Sequence, residues 1–130
     1  MDTNAPPLIA IVDDEDSVCR ALSRLLRSAN YRAESFVSAA DFLDSLSRRT
    51  PDCVVVDLQM PHMTGIELQQ RLQLAGHSPP VIVITAYDGP GTEEQCKRLG
   101  ARSYLRKPIE ADELFESIRD IVRSAEPRSD

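Results

Sequence analysis

The sequence predicts an α/β fold: five alternating βα units that build a doubly wound parallel sheet of five strands, with helices on both faces. Three observations predict it. The runs "LIAIV", "CVVVD" and "VIVIT" are apolar almost throughout, as strands buried on both faces must be. Helical spacings or helix-start signals separate them. No long linker breaks the alternation, so one domain is expected over residues 8–123. It has an N-terminal extension, 1–7, and a polar tail or start of a linker, 124–130.

The elements follow in order. "LIAIV", residues 8–12, is the first strand and runs into the acidic "DDED". Val18, Leu22, Leu25, Leu26 and Ala29 then mark one face of a helix, with Arg20, Arg24 and Arg27 on the other side. "YRAESF", residues 31–36, is interrupted by polar residues and reads as a strand nearer an edge. "SAADFLDSLSRR" reads as a second helix, capped by Ser38 with Asp41 reaching back. "CVVVD" is β-branched and favours strand. Thr64-Gly65-Ile66-Glu67 has capping-box spacing and opens a helix through about Leu74, which "AGHSPP" closes.

"VIVIT", residues 81–85, is the fourth strand, followed by the turn-rich "AYDGPG". Pro90 and the two glycines oppose an early helix start, so residues 86–91 are expected to form a mobile loop. Thr92-Glu93-Glu94-Gln95 reads as a second capping box. It starts a helix of about two turns that ends near Gly100. "RSYLRKP" is the fifth strand, cut by Pro108. Leu114, Ile118, Ile121 and Val122 give the last helix its apolar face.

The totals narrow the function. The chain has 130 residues, 42% hydrophobic and 28% charged, as a globular domain with a real core does. A net charge of -6 argues against a nucleic-acid groove or an anionic membrane surface. No apolar run nears the ~20 residues of a membrane span. "MDTNAPP" lacks the basic-then-apolar plan of a secretion signal, so a cytoplasmic location is expected. Cys19, Cys53 and Cys96 are far apart and read as reduced and mostly buried. His62 and His77 lie beside turn signals without a partner cluster and read as loop residues.

In a parallel α/β sheet, ligands bind beyond the carboxyl ends of the strands. The strand ends here are Asp13-Asp14, Asp57, Thr85 and Lys107. Three carboxylates brought together repel one another unless a cation sits among them. Oxygen donors without sulfur or imidazole suit a hard ion such as Mg2+. A lysine and a hydroxyl nearby are what a phosphoryl group needs on its other oxygens. Asp57 is then a nucleophilic carboxylate held rigidly by a buried strand. Singly, each residue has a plainer reading. Asp14 or Asp16 can cap the first helix, Thr85 suits a strand, and Lys107 can be a solvated surface lysine. The complementary set at four strand ends favours the site.

These segments resemble the receiver domains of two-component response regulators, the CheY-like fold, over residues 8–123. The resemblance rests on "VDDED", on "VVVDLQMPHMTGIEL" with a glycine eight residues after its aspartate, on "VIVITA", and on "GARSYLRKP". The wording of "MPHMTGIELQQRL" is most similar to the FixJ-type subgroup. The resemblance implies the flavodoxin-like strand order 2-1-3-4-5. It implies that Asp57 accepts a phosphoryl group from a histidine kinase or histidine phosphotransfer protein. Asp14 then binds Mg2+ directly and Asp13 through water, with Asp57 and the Gln59 carbonyl. Lys107 pairs with the phosphoryl oxygens, Thr85 moves to bond them, and Tyr104 turns inward behind it. The Lys107–Pro108 bond is expected to be cis. As output, the resemblance admits a C-terminal DNA-binding domain beyond residue 130 and a phosphorylation-dependent dimer.

Two alternatives share the sheet or the nucleophile. A metal-dependent phosphatase of haloacid-dehalogenase type needs a second aspartate two residues after Asp57, where Gln59 stands. A flavodoxin-like flavin-binding protein needs a Ser/Thr/Gly-rich phosphate loop after the first strand, where "DDED" stands. One departure from the receiver pattern is "AYDGPG", which puts the shape of the face around the fourth helix in doubt. Tyr87, two residues after Thr85, stands near the approach of an attacking water.

Overall fold

The alternation of buried runs and helical patterns folds as expected. The computed structural model describes residues 5–76, 78–87 and 89–125. Strands β1 (Leu8–Val12), β2 (Arg32–Phe36), β3 (Cys53–Asp57), β4 (Val81–Thr85) and β5 (Ala101–Arg106) alternate with helices α1 (Asp16–Ser28), α2 (Ala39–Ser45), α3 (Gly65–Leu74), α4 (Thr92–Arg98) and α5 (Ala111–Ala125). All strand pairs are parallel, in the order β2-β1-β3-β4-β5. The polar β2 is at an edge and the three most apolar strands are central. His77, part of the "AYDGPG" loop at Asp88, and the tail from residue 126 lie outside the described residues.

Each central strand sorts its side chains by period 2. Val12, Val54, Val56, Val83 and Tyr104 pack with Phe42, Leu68, Leu72 and Cys96 on the face of α2, α3 and α4. Ile9, Ile11, Val55, Ile82 and Ile84 pack with Leu22, Leu26, Leu114 and Ile118 on the face of α1 and α5. Both faces are therefore apolar, and the runs are continuous rather than alternating. The three cysteines are free and buried, and burial pushes the Cys53 thiol up to about 12.

The helix ends differ in places from the spacing's prediction. The Thr64 box is complete: Thr64 N–H donates to Glu67 Oε1 at 2.9 Å, and Glu67 N–H donates to Thr64 Oγ1 at 3.2 Å. The expected Thr92 box does not form. Gly91, in the left-handed region at φ 78, takes the N-cap place, and Thr92 is the first helical residue. The Thr92 hydroxyl instead accepts from Gly89 N–H at 3.2 Å, closing the turn that Pro90 occupies. Helix α2 stops at Ser45 instead of running to Arg49. The Ser45 and Ser47 hydroxyls donate to the carbonyls of Phe42 and Asp44, and such bonds compete with helix propagation. At the other end α5 continues to Ala125, so residue 123 falls inside a helix.

Candidate phosphoacceptor site

The carboxyl edge of the sheet brings the strand-end residues together. β3 carries Asp57 to the rim, and Leu58 N–H donates to Ile84 O at 3.0 Å, holding the chain just beyond it to β4. The backbone then folds back, with Gly65 N–H donating to Leu58 O at 3.0 Å. This packs the start of α3 against the end of β3. A Cβ on Gly65 would lie 2.7 Å from Asp57 O and 2.9 Å from Leu58 Cα, so only glycine fits. Lys107 is anchored by its N–H, which donates to Thr85 O at 2.8 Å, and its bond to Pro108 is cis.

Asp13, Asp14 and Asp57 each offer a carboxylate oxygen, all within 4.8 Å of one another. Asp13 and Asp57 are buried, whereas Asp14 faces solvent. The Lys107 ammonium lies 3.0 Å from Asp13 Oδ2, 3.6 Å from Asp57 Oδ1 and 3.7 Å from Glu15 Oε1. Asp13 Oδ1 accepts from Glu15 N–H at 2.9 Å. By contrast, Asp57 Oδ1 is buried and makes no hydrogen bond among the described residues.

This leaves the Asp57 carboxylate short of positive charge. Burial and the Asp13 charge push Asp57 up to about 6, against the opposing pull of Lys107 and a bond from the Gln59 backbone. Burial acts to lower the Lys107 ammonium. Its bond to Asp13 and the charges of Asp57, Asp13 and Glu15 outweigh that and raise it. One ammonium thus faces three carboxylates, those of Asp13, Asp57 and Glu15, and is closest to Asp13. An oxygen-only donor set with a surplus of negative charge and a bare buried oxygen fits a hard divalent cation.

Thr85 is fully buried, but its hydroxyl is committed elsewhere. It donates to Tyr87 O at 2.6 Å and accepts from Tyr87 N–H at 3.1 Å. The Gln59 side chain joins them: its Nε2 donates to Tyr87 O at 2.6 Å, and its Oε1 lies 3.3 Å from the Thr85 hydroxyl. The Tyr87 side chain is 74% exposed. Tyr104 is only 8% exposed, with the Arg106 guanidinium 5.3 Å from its ring centre.

Two participants escaped the sequence reading. Glu15 reaches Lys107, and the Cys19 thiol donates to the Asp13 carbonyl at 3.2 Å from behind the site. Glu15 lies in the quoted "DDED", but its spacing alone could not separate a rim contact from a helix cap.

Fold and rim together define a doubly wound domain with an acidic, lysine-paired site at the carboxyl edge of its sheet, and comparison with known proteins names its class. The response regulator receiver domain family matches residues 9–119, and the chain belongs to that family. It is a receiver domain of two-component response regulators. Receiver domains accept a phosphoryl group on an aspartate, generally bind Mg2+ and interact with histidine kinases. The chain is 33% identical over 118 residues to the response regulator protein TodT of Pseudomonas putida, covering 91% of this chain and 52% of TodT. It is 34% identical to the transcriptional regulatory protein FixJ of Bradyrhizobium diazoefficiens over 92% of this chain and 58% of FixJ. It therefore spans about half the length of the curated relatives it matches. A response regulator receiver protein from Burkholderia phymatum superposes with a TM-score of 0.79 at 44% identity, over 94% of this chain and 99% of that one. FixJ-N superposes at 0.84 with 28% identity, over 94% and 98%. Among the described residues no helix is long and apolar enough to cross a membrane.

Proposed function

We propose that this domain takes a phosphoryl group onto Asp57 from a phosphohistidine of a kinase or phosphotransfer protein. The bare, buried Asp57 Oδ1 beside Lys107 carries this reading. An Asp57 carboxylate oxygen attacks phosphorus, the P–N bond breaks, and the imidazole leaves with the electron pair and takes up a proton. Asp14, Asp13, Asp57 and the Gln59 carbonyl would hold Mg2+. When bound, the ion supplies positive charge to the phosphoryl oxygens. Lys107 is placed to pair with another of those oxygens, and the Thr85 hydroxyl to bond a third once it leaves Tyr87.

Hydrolysis of the acyl phosphate by water, assisted by the same groups, resets the domain. The relatives' greater length supports a place as the regulatory part of a longer transcriptional regulator in the cytoplasm, with DNA binding elsewhere in the protein. A phosphorylation-dependent dimer fits that role. Gln59 at the second position after the nucleophile and "DDED" after β1 disfavour the phosphatase and flavin alternatives.

A phosphoramidate donor with Mg2+ should add one phosphoryl group to the peptide bearing Asp57, read by intact and peptide mass spectrometry. Modification that maps elsewhere, or proceeds equally well in chelator, would contradict the assignment. Metal-free protein should also melt at a higher temperature when Mg2+ is added, because an ion that binds only the folded state stabilises it by mass action. Asp14→Ala should reduce that gain. A melting temperature indifferent to millimolar Mg2+ would count against a metal site here.

A further inference from the structure

We propose that the Gln59 side chain is a latch that holds Thr85 in its resting position, so that it opposes phosphorylation. This rests on the phosphoacceptor reading of the same site. Gln59 lies on the β3–α3 loop, exposed at the rim, while Thr85 and Tyr87 belong to β4 and the loop after it. Two donors converge on one acceptor: Gln59 Nε2 and Thr85 Oγ1 both lie 2.6 Å from Tyr87 O. The amide's other end, Oε1, is 3.3 Å from the Thr85 hydroxyl and gives it a second acceptor on the same side. Tyr87 N–H donates to that hydroxyl at 3.1 Å. One amide therefore spans from the acceptor's own loop to the β4–α4 loop and fixes the carbonyl to which Thr85 is bound.

The sign follows from what Thr85 must give up. Its hydroxyl has one proton, held by Tyr87 O. To donate to a phosphoryl oxygen it must release that carbonyl and leave the Gln59 Oε1. Bonds made only in the resting state lower the population of the other state, and with it the apparent affinity for a ligand that binds only that state. Gln59 is a positioning residue in this account, acting through Thr85. Its side chain and its backbone carbonyl have separate roles. All the latch bonds on Tyr87 are to its backbone, so the exposed ring takes no part in them.

The test is a beryllofluoride titration at saturating Mg2+, followed by calorimetry, on wild type, Gln59→Met, Thr85→Ala and the double variant. Methionine keeps the length and removes both hydrogen bonds. Gln59 is exposed, so the substitution leaves the core intact. Gln59→Met should bind beryllofluoride about fivefold more tightly, the worth of about one net hydrogen bond. That gain should vanish in the Thr85→Ala background, because coupled residues give non-additive effects. The Tyr87 amide should also exchange with solvent faster in Gln59→Met. Equal or weaker binding by Gln59→Met, or the same gain without Thr85, would overturn the latch while leaving the phosphoacceptor site intact. Failure of the wild type itself to bind beryllofluoride would overturn the phosphoacceptor reading, and the latch with it.

Discussion

Asp57→Asn should abolish phosphoryl acceptance and, in metal-free protein, raise stability at neutral pH. The loss follows because a carboxamide oxygen is not a competent nucleophile. The gain follows from the burial of Asp57 beside Asp13, which moves its carboxyl from 3.8 to about 6. The folded state therefore holds a proton between those values that the unfolded state has already released. Stability from this group is present below about pH 4 and is lost as pH rises through about 6. The displacement corresponds to about 3 kcal/mol, an upper bound because asparagine also forgoes the attraction of Lys107. Urea midpoints of both proteins in chelator, from pH 4.5 to 7.5, should converge at the acid end and separate at the other. A separation that does not change with pH would show that the carboxylate is not charge-strained, and retained labelling of Asp57→Asn would move the acceptor elsewhere.

Gly65→Ala should destabilise the domain by about 1–3 kcal/mol, the range of overpacking against atoms that cannot move aside. The added methyl would meet backbone, Asp57 O at 2.7 Å and Leu58 Cα at 2.9 Å, rather than a flexible side chain. Relief requires α3 to back away from β3 or Asp57 to shift. Labelling by a phosphodonor should therefore fall along with stability. A urea midpoint within error of wild type would show that the approach of α3 to Leu58 relaxes freely. In that case the glycine would have no role in setting the rim.

The legible and illegible parts of this protein divide by distance along the chain. β1, β3 and β4 were readable because burial on both faces leaves no polar residue inside them. Their ends mark the rim, so Asp13, Asp14, Asp57, Thr85 and Lys107 can be gathered from the sequence alone. The Thr64 capping box was readable because both of its bonds are local. The same spacing at Thr92 misled, because the turn from Gly89 to Gly91 took the threonine's hydroxyl and gave the cap to a glycine. The Gln59 amide was invisible as a contact. Its partner is a backbone carbonyl 28 residues away, and a carbonyl has no letter in the sequence.

The sorting of strand side chains into two sets has an evolutionary consequence. The sheet is a partition one residue thick, with Val54 and Val56 on one side and Val55 on the other. Among the described residues, the layer under α1 and α5 and the layer under α2, α3 and α4 share no buried side chain in their cores. Substitutions in separated, non-touching sites add nearly independently. A lineage can therefore redraw the α2–α3–α4 layer while the opposite layer carries on unchanged as inherited ballast. What both sides share is the set of strands, and the strands end on the chemistry.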